Sequence, residues 1–524
     1  MVKRRSSERQ SKRPESSLPL PAQATRVQPD GQHNTSLFLI LILTVAALLR
    51  FGGLDNQSLW NDELHTWEAV HRESLSEVFQ KGIRVEVHPP LYFIFMYYWQ
   101  KYVGDTETLL RLPSAVAGVL AVFAIYLVGR RLYSDREGLI AAALTAVMHC
   151  PIRYSQEARP YAMLLLFSLL ATYYWLSVAG SLSEGKRPKT WETVAFIVAA
   201  VLTSYTHYFG LYYVGLLGVA GSLMMVLKRR WFQGLVYFPL VYVPVALSYI
   251  PWLETLSRHL RMRSFWIPAP TPRAPYQFLR FALNHSPYVV VVFLALCMWL
   301  LGITLYRFLR KKQPAPTVRS PISCQGLMLL LWLVVPFVGA YIRSVVSTPV
   351  LWGRNLIISV PAAYLLAARA VTQIPVRARW HALIAGGLSL ALLFHLEGRL
   401  HYYSAAHKEQ FREVVKYVIT RDPTLKDTLI MEYTWGENFF NYYFIHFGSE
   451  RRVDLKGGRN RDIEEVAAEI QRRSPRFIWF IFAHRPPEEG FMQFMQRNYR
   501  LMSFKRFYLA GVARYENEPP SRRR

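Results

Sequence analysis

The sequence predicts an α-helical polytopic membrane protein that carries a small soluble α/β domain at its C-terminal end. Of its 524 residues, 52% are hydrophobic and only 19% are charged, whereas soluble chains carry about 25% charge. The 35 acidic residues are also unevenly spread, because 17 lie between residues 397 and 518 and none lies between 255 and 396. Long apolar stretches without acids are typical of membrane spans, and an acid-rich tail indicates a water-soluble domain.

The segment 1–35 is polar and basic and lacks the apolar core of a signal peptide, so we expect a disordered cytoplasmic N-terminus. Apolar runs that are about long enough to cross a bilayer follow. They lie at 36–51, 111–130, 138–153, 160–180, 191–206, 208–227, 233–250, 287–309, 326–346, 355–371 and 381–396. A further run at 89–103 is short and opens with two prolines, which favours a helix that lies along the membrane.

The loop charges predict the orientation of these runs. If 89–103 does not span, the loops on the side of the N-terminus carry 17 Lys and Arg residues, and the opposite loops carry 9. Positively charged loops remain in the cytoplasm. We therefore expect about eleven spans, with residues 52–110 and the C-terminal domain outside, and we place the membrane domain at 36–396 and the soluble domain at 397–524.

The tail alternates helical and strand patterns. Helical periodicity covers 409–420 and 462–473, and short apolar strands are predicted at 428–431 and 476–482. This alternation predicts a small α/β domain with a partly parallel sheet. The formal net charge of +27 does not indicate nucleic-acid binding, because much of the basic excess lies in short loops between apolar runs, where it sets topology.

The carboxylates that remain in the membrane region are concentrated in its first external segment. Nine of its 15 acidic residues fall within 55–107, and Asp62 and Glu63 are adjacent just beyond the first span. Such a pair suits general-base catalysis or metal binding at the water–lipid boundary. The alternative is that one of them caps a helix on the membrane surface.

Other polar residues mark the external ends of the spans, and each has a structural alternative. The histidines are equally compatible with a helix start or a satisfied structural role, and the arginines with contacts to lipid headgroups. Glu157 also suits a local ion pair, either with Arg159 or with Arg153. The candidates for substrate binding are His88, Arg111, Glu157, Arg159, Tyr161, His207 and Arg354.

These candidate residues are more informative together than one by one. All of them fall on the same side of the membrane in the topology that was chosen only from loop charges. The external loop 251–286 adds five arginines and has no acid after Glu254. Arginines without acidic partners suit an anionic ligand or lipid headgroups. The sequence therefore predicts an external acid/base site beside a phosphate-binding rim, which acts on a lipid phosphate.

Four motifs resemble those of known membrane enzymes. Asp62-Glu63, His88-Pro89-Pro90-Leu91-Tyr92, Arg111-Leu112-Pro113-Ser114-Ala115 and the segment 155–161 occur in this order in bacterial membrane glycosyltransferases of the GT-C fold. The sequence resembles the protein O-mannosyltransferases and the lipid A aminoarabinose transferases. The resemblance covers roughly residues 36–250 and, more loosely, 350–365.

The resemblance implies a polyprenyl-phosphate sugar donor and transfer to an acceptor lipid, glycan or protein outside a bacterial inner membrane. Because the transfer is expected to be a single displacement, we expect inversion. It assigns Asp62 as the base, Glu63 as support for the acceptor or a metal, Glu157 as the acidic position of the second external loop, and Arg354 as a donor-phosphate contact. It also implies membrane-parallel helices in the first external loop.

One motif departs from the aminoarabinose transferases, which have Glu-Lys-Pro where this chain has His88-Pro89-Pro90. Their lysine contact to phosphate is absent, so arginines have to bind the phosphate here. A divalent metal cation is left open, with Asp62, Glu63, His88 and Glu157 as candidate ligands, and no other cofactor is expected. The alternative function is a polytopic transporter or flippase of lipid-linked sugars, although transport calls for polar groups near the bilayer midplane.

Overall fold

The computed structural model describes residues 30–84, 87–262, 266–310, 324–434, 436, 438–455 and 463–517. Within these residues, a helical bundle is followed by a small domain built on a four-stranded sheet. Most of the predicted N-terminal segment 1–35 lies outside the described residues, and the first helix already begins at Asp30.

The helices of the bundle follow the apolar runs, and shorter helices fill the first external segment. In chain order they are α1 (Asp30–Phe51), α2 (Asn61–Val70), α3 (Leu75–Glu77), α4 (Leu91–Tyr102), α5 (Glu107–Leu132), α6 (Asp135–Val147), α7 (His149–Ser155), α8 (Tyr161–Ser183), α9 (Thr190–Thr206), α10 (Tyr208–Leu227), α11 (Phe238–Val241), α12 (Val243–Tyr249), α13 (Leu253–Leu260), α14 (Ala274–Ala282), α15 (Pro287–Arg310), α16 (Cys324–Val346), α17 (Val360–Thr372) and α18 (Ala378–Gly398). Turns of π-helix lie at Val78–Ile83 and Gln233–Tyr237, and 3₁₀ turns at Ile250–Trp252 and Gly353–Ser359.

Every predicted apolar run coincides with helix. Eight of the described helices are long and apolar enough to cross a membrane, and one bent pair, Gln233–Val241 with Val243–Leu260, would make a ninth span. Helices α6 and α9 fall on predicted runs but have only 13 and 17 residues. The polytopic helical fold is confirmed, whereas the number of about eleven spans stays a prediction.

Helices α5, α8 and α17 form the centre of the bundle. In the most apolar windows of α5, of α8 and of the span Gly353–Thr372 that contains α17, 67%, 72% and 83% of the residues are buried, against 11% for α1 and for α15. The side chains that the outer helices expose are mainly apolar. Such a surface is favourable only where lipid tails replace water, so the outer helices are the lipid-facing ones.

Helix α4 lies in the first external segment, where the sequence predicts a membrane-parallel helix. Its 12 residues span roughly 18 Å, well short of the roughly 30 Å hydrocarbon core of a bilayer. Tyr92, Phe93 and Met96 on this helix are fully buried. They belong to an apolar core that also contains Leu64 of α2, so the segment folds as a packed unit.

The C-terminal domain has the predicted α/β character. Its elements are α19 (Phe411–Arg421), β1 (Thr428–Tyr433), α20 (Phe439–His446), α21 (Ile463–Arg473), β2 (Phe477–Ala483), α22 (Glu489–Asn498), β3 (Arg500–Phe507) and β4 (Ala510–Glu516). The strand order is β1-β2-β4-β3, with β1 and β2 parallel and the other pairs antiparallel. The sheet is therefore partly parallel, as predicted.

Strands β1 and β2 are the ones that the sequence identifies, because both are buried along almost their whole length and read as continuous apolar runs. Strand β3 is mostly exposed and strongly basic, so its pattern gives little strand signal. The sequence missed α20, α22, β3 and β4, and residue 462 of the predicted second helix lies outside the described residues.

The C-terminal domain and the first external segment share one apolar core. Leu59, Trp67 and Tyr92 pack in the same buried cluster as Phe411 and Phe439. Polar contacts join the two parts as well: Arg412 forms an ion pair of 2.5 Å with Glu107, and the Tyr443 hydroxyl donates to the same carboxylate at 2.5 Å. The domain is therefore docked on the segment that carries Asp62.

Candidate functional site

Asp62 and Glu63 lie in the first turn of α2, which begins at Asn61. Carboxylates are favoured there by the unpaired N–H groups and the positive end of the helix dipole. The backbone N–H of Trp60 donates to Glu63 Oε2 at 3.3 Å, as the capping alternative requires. Glu63 is nevertheless completely buried, so it does more than cap a helix on a surface.

Glu63 is surrounded by donors from three distant parts of the chain. Arg111 binds it through two parallel hydrogen bonds of 2.7 and 2.6 Å, and Lys408 Nζ lies 3.1 Å from Oε2. The backbone N–H of Ala158 donates to Oε1 at 2.8 Å. Burial alone raises the pKa of Glu63, but the two cations outweigh burial and lower the pKa to about 2.

Arg111 uses all five of its N–H donors within the protein. Besides the two bonds to Glu63, it donates to the carbonyl oxygens of Leu54 and Gln57 at 2.5 and 2.7 Å and of Ser58 at 2.9 Å. It is only 2% exposed. These contacts give Arg111 the geometry of a structural clamp on residues 54–63, with no donor left over for a substrate phosphate.

Asp62 points toward Arg354, the predicted phosphate contact, and forms an ion pair with its guanidinium group. Arg159 Nη1 donates to the backbone carbonyl of Asp62 at 3.0 Å and to the Thr66 hydroxyl at 3.1 Å. Burial raises the pKa of Asp62, but the charges of Arg354 and Arg159 outweigh it and lower the pKa to about 2. Asp62 is thus a paired carboxylate in this state.

The Arg354 guanidinium lies among three aromatic rings. Its central carbon is 5.9 Å from the ring centre of Trp60, 5.6 Å from that of Tyr161 and 5.2 Å from that of Trp266. Cations at such distances are attracted to the faces of aromatic rings. The rings hold the arginine in a largely dehydrated position, where its attraction to an anion is strong.

His88 and His207 lie together beside Tyr161. The two imidazole rings are 5.0 Å apart, and the centre of the His207 ring is 5.8 Å from that of Tyr161. His207 Nδ1 accepts a hydrogen bond from the Phe209 backbone at 3.1 Å and so caps α10. His207 combines its predicted place in the site with the structural role that the sequence left as the alternative.

Glu157 is completely buried and forms an ion pair with Arg153 at 3.0 Å. The sequence allowed a pair with Arg153 or with Arg159, and the structure has the first of these, because the Arg159 side chain turns toward α2. Glu157 Oε2 has no hydrogen-bond partner among the described residues. A buried carboxylate oxygen without a donor is costly in a folded protein, so this atom is available to a substrate or a bound water.

The structure therefore brings together all nine residues that the sequence selects. They divide into an Asp62–Arg354 pair with Tyr161 and the histidines, and a buried Glu63–Arg111 cluster, with Arg159 and Glu157 in the loop between them. Sequence reasoning missed Lys408, Trp60 and Trp266. Trp266 belongs to the acid-free loop that is predicted to be external, which was a usable signal, whereas nothing in the sequence separates Lys408 from the other four lysines of the tail.

The carboxylates do not offer a metal site. No group of three or more His, Cys, Asp or Glu residues in the described part of the chain has the arrangement of metal ligands. Asp62 and Glu63 are already neutralised by arginine and lysine, and a divalent cation would have to displace these partners. The residues present do not fit a resident metal.

A separate cavity of about 290 Å³ lies between α2 and the C-terminal domain. None of the nine predicted site residues lines it. Its walls are formed by Trp67, Glu68, His71, Arg72, Asn438, Asn441, Ile445 and Arg452.

Comparisons with known proteins show which families and folds the chain resembles. Residues 87–253 match the family model described as dolichyl-phosphate-mannose-protein mannosyltransferase, whereas no curated protein sequence matches the chain. The solved structure of ArnT from Cupriavidus metallidurans in the apo state has a TM-score of 0.54 at 12% identity, over 92% of this chain and 98% of that chain. ArnT bound to undecaprenyl phosphate gives 0.51 at 13% identity, over 91% and 98%.

The archaeal oligosaccharyltransferase AglB from Archaeoglobus fulgidus, in complex with an inhibitory peptide and a dolichol-phosphate, has a TM-score of 0.50 at 11% identity, over 94% of this chain and 75% of that chain. The chain thus has the GT-C fold over almost its whole length. The resemblance predicted from the motifs is confirmed, because the family model matches residues 87–253 and the similar solved structures have the GT-C fold.

Proposed function

We propose that the protein transfers a sugar from a polyprenyl-phosphate donor to a lipid, glycan or protein acceptor at the outer face of a bacterial inner membrane. The Asp62–Arg354 pair is the observation that carries the proposal. It joins a candidate base to a candidate phosphate ligand, although 292 residues separate them in sequence. The names of the matching structures support the donor class, because they include undecaprenyl phosphate and dolichol-phosphate.

In the proposed reaction, Asp62 accepts the proton of the acceptor hydroxyl or amine while that group attacks the anomeric carbon of the sugar. A new bond from the acceptor to this carbon forms as the bond to the phosphate oxygen breaks. The electron pair leaves with the polyprenyl phosphate. Because this is a single displacement, the anomeric configuration is inverted.

Arg354 is proposed to bind the donor phosphate and to stabilise the negative charge that grows on it. The aromatic rings that surround the guanidinium group keep water away and strengthen this interaction. Tyr161 and the two neighbouring histidines are placed to contact the same end of the donor. Arg111 and Arg159 act one step further away, because they fix the turn of α2 on which Asp62 lies.

The ion pair also supplies an order of events. A carboxylate with a pKa of about 2 is a weak base. When the donor phosphate occupies Arg354, Asp62 loses its main counter-charge while it stays buried, and its pKa rises. Donor binding therefore activates the base, and the free enzyme keeps it inactive.

The location and topology are part of the proposal. The N-terminus is cytoplasmic, the first external segment and the C-terminal domain are outside, and the domain limits of 1–35, 36–396 and 397–524 are retained. This orientation puts the site at the membrane surface, where a polyprenyl phosphate presents its headgroup.

Purified protein in lipid nanodiscs, incubated with a panel of polyprenyl-phosphate sugars with and without chelator, tests the proposal. We expect the wild type to consume one donor with or without chelator, and Asp62→Asn to lose about 10²-fold or more in rate. Asp55→Asn is the matched control, because Asp55 is an exposed carboxylate of the same segment. Undiminished turnover by Asp62→Asn would refute the assignment of the base, and transport without turnover would favour a flippase.

A further inference from the structure

The segment that enters the C-terminal domain is bonded to the residues just before α2. The backbone N–H groups of His407 and Lys408 both donate to Gln57 Oε1, at 2.9 and 3.0 Å. The Ser58 hydroxyl donates to the carbonyl oxygen of Glu409. These contacts hold the Lys408 backbone against the membrane domain.

The Lys408 side chain continues into the interior and is only 6% exposed. Its ammonium group lies 3.1 Å from Glu63 Oε2 and 3.0 Å from the backbone carbonyl oxygen of Gln156. One cation thus bridges the first external segment and the second external loop. Both are needed for the site, since α2 carries Asp62 and the loop carries Glu157 and Arg159.

We propose that Lys408 is a positioning residue of the active site, through which the C-terminal domain fixes the distance between the Asp62 turn and the loop at 156–159. This inference rests on the proposed function. Lys408 contacts neither Asp62 nor Arg354 in the described structure and acts through Glu63 and Gln156. The C-terminal domain is then a working part of the catalytic unit and not only an accessory.

Glu63 needs no second cation for neutrality, so the role of Lys408 is to position the two segments and not to balance the charge of this carboxylate. Arg111 already supplies a bidentate partner for this carboxylate, whereas the Gln156 carbonyl receives its bond from Lys408. A buried ammonium group also costs desolvation free energy. Replacing the lysine by an apolar side chain of similar length therefore loosens the bridge without leaving a charge unpaired.

The titration of Lys408 gives an independent signal. Burial and the nearby Arg111 lower its pKa to about 8, against the opposing effect of Glu63 and Glu157. His407 on the same segment is held neutral, because burial lowers its pKa to about 4. We expect the bridge, and with it the turnover rate, to decline above about pH 8.

Stability does not follow the same curve. The folded-state pKa of Lys408 lies below its unfolded value of about 10.4. Between the two values the unfolded chain binds more protons, so this group makes folding more favourable as pH rises through that window. If general unfolding caused the loss of activity above pH 8, the free energy of unfolding would fall with rising pH in that window and not rise.

The test uses the full-length protein with Lys408→Met, Lys408→Arg and the exposed control Lys416→Met. Two quantities are measured: kcat with an accepted polyprenyl-phosphate sugar between pH 6 and 10, and hydrogen exchange of the Ala158 amide, which donates to Glu63. We expect Lys408→Met to lower kcat by about 10- to 100-fold, to leave the donor KM and Tm nearly unchanged, and to speed exchange at Ala158. Lys408→Arg should restore turnover and move the alkaline limit to higher pH.

Wild-type kcat in Lys408→Met, or exchange at Ala158 that stays slow in that variant, would overturn the inference. The exchange measurement needs no substrate, so it remains decisive if no donor is turned over. If no donor is turned over, the proposed function is refuted, and the exchange rate at Ala158 alone decides whether Lys408 forms the bridge.

Discussion

Arg111 and Arg354 both lie at ends of apolar runs that are predicted to be external, but their contacts in the structure differ. Arg111 donates all its N–H groups to Glu63 and to backbone carbonyls. Arg354 instead forms an ion pair with one carboxylate and lies close to three aromatic rings. The sequence presents both as arginines at membrane level and does not distinguish them. The contact partners lie far away in the chain, so only the folded structure separates a clamp from a candidate ligand.

The pairing of Asp62 predicts how activity depends on pH. The pKa of about 2 applies to the free enzyme, and kcat/KM reports the free enzyme whereas kcat reports the complex. As the proposed base, Asp62 has to be deprotonated, so kcat/KM should stay flat as pH falls from 8 to about 4. The acid decline of kcat should begin at a higher pH than that of kcat/KM. Profiles of both parameters for the wild type and for Arg354→Met provide the measurement.

Removing Arg354 takes away the charge that lowers the pKa of Asp62, while burial of the carboxylate remains. The acid limb of kcat/KM should therefore move upward in Arg354→Met by at least about one pH unit. If the acid limbs of the kcat and kcat/KM profiles coincide in the wild type and do not move in Arg354→Met, donor binding does not activate the proposed base.

At the scale of elements, helices α5 and α6 approach so closely that only glycine fits at their contact. A Cβ atom on Gly138 of α6 would lie 2.6 Å from the carbonyl oxygen of Tyr126, and one on Gly129 of α5 would lie 2.8 Å from Gly138 Cα. Small residues at helix contacts are a common basis of packing in membranes. This contact fixes α5, which carries Arg111 near its N-terminal end.

Gly138→Ala should therefore destabilise the protein by about 1–3 kcal/mol, because the added methyl group meets backbone atoms that cannot move away cheaply. Gly180→Ala is the control within a helix, since nothing lies within 4 Å of its added Cβ. Thermal unfolding in detergent should show a Tm several degrees lower for Gly138→Ala and no loss for Gly180→Ala, where helix propensity improves. Equal Tm values would show that α5 and α6 adjust freely.

The eleven apolar runs illustrate what can be predicted at this scale. Their positions follow from length and composition, so each was found in the sequence and each is helical. Helix length was less predictable: α6 ends at Val147, and α7 starts at His149 after a break. In the tail, buried β1 and β2 were recognisable, whereas exposed β3 was not, because its pattern lacks a hydrophobic face.

For the whole molecule, the orientation in the membrane is the prediction with the widest consequences. A reporter enzyme that is active only outside the cytoplasm, fused after Arg524, should be active, and a cytoplasmic reporter at the same place should not. The physical reason is the excess of Lys and Arg in the loops on the opposite side. A fusion at residue 310, in one of those basic loops, should give the reverse pattern.

Activity of the cytoplasmic reporter at Arg524 would contradict the predicted span count. It would not separate the C-terminal domain from the first external segment, because a shared apolar core and the Arg412–Glu107 pair hold them together. The whole catalytic unit would then face the cytoplasm, and a donor on the outer leaflet would be excluded.

The sequence by itself determined the polytopic helical class, the concentration of carboxylates within residues 55–107, and the resemblance to membrane glycosyltransferases of the GT-C fold. These features are local, since hydropathy, loop charge and short motifs are read within a few dozen residues. The tertiary structure decided that Asp62 pairs with Arg354, that Arg111 pairs with Glu63, and that Lys408 reaches the site from the C-terminal domain. Such pairings join residues that are tens to hundreds of positions apart, and only packing brings them within hydrogen-bond distance.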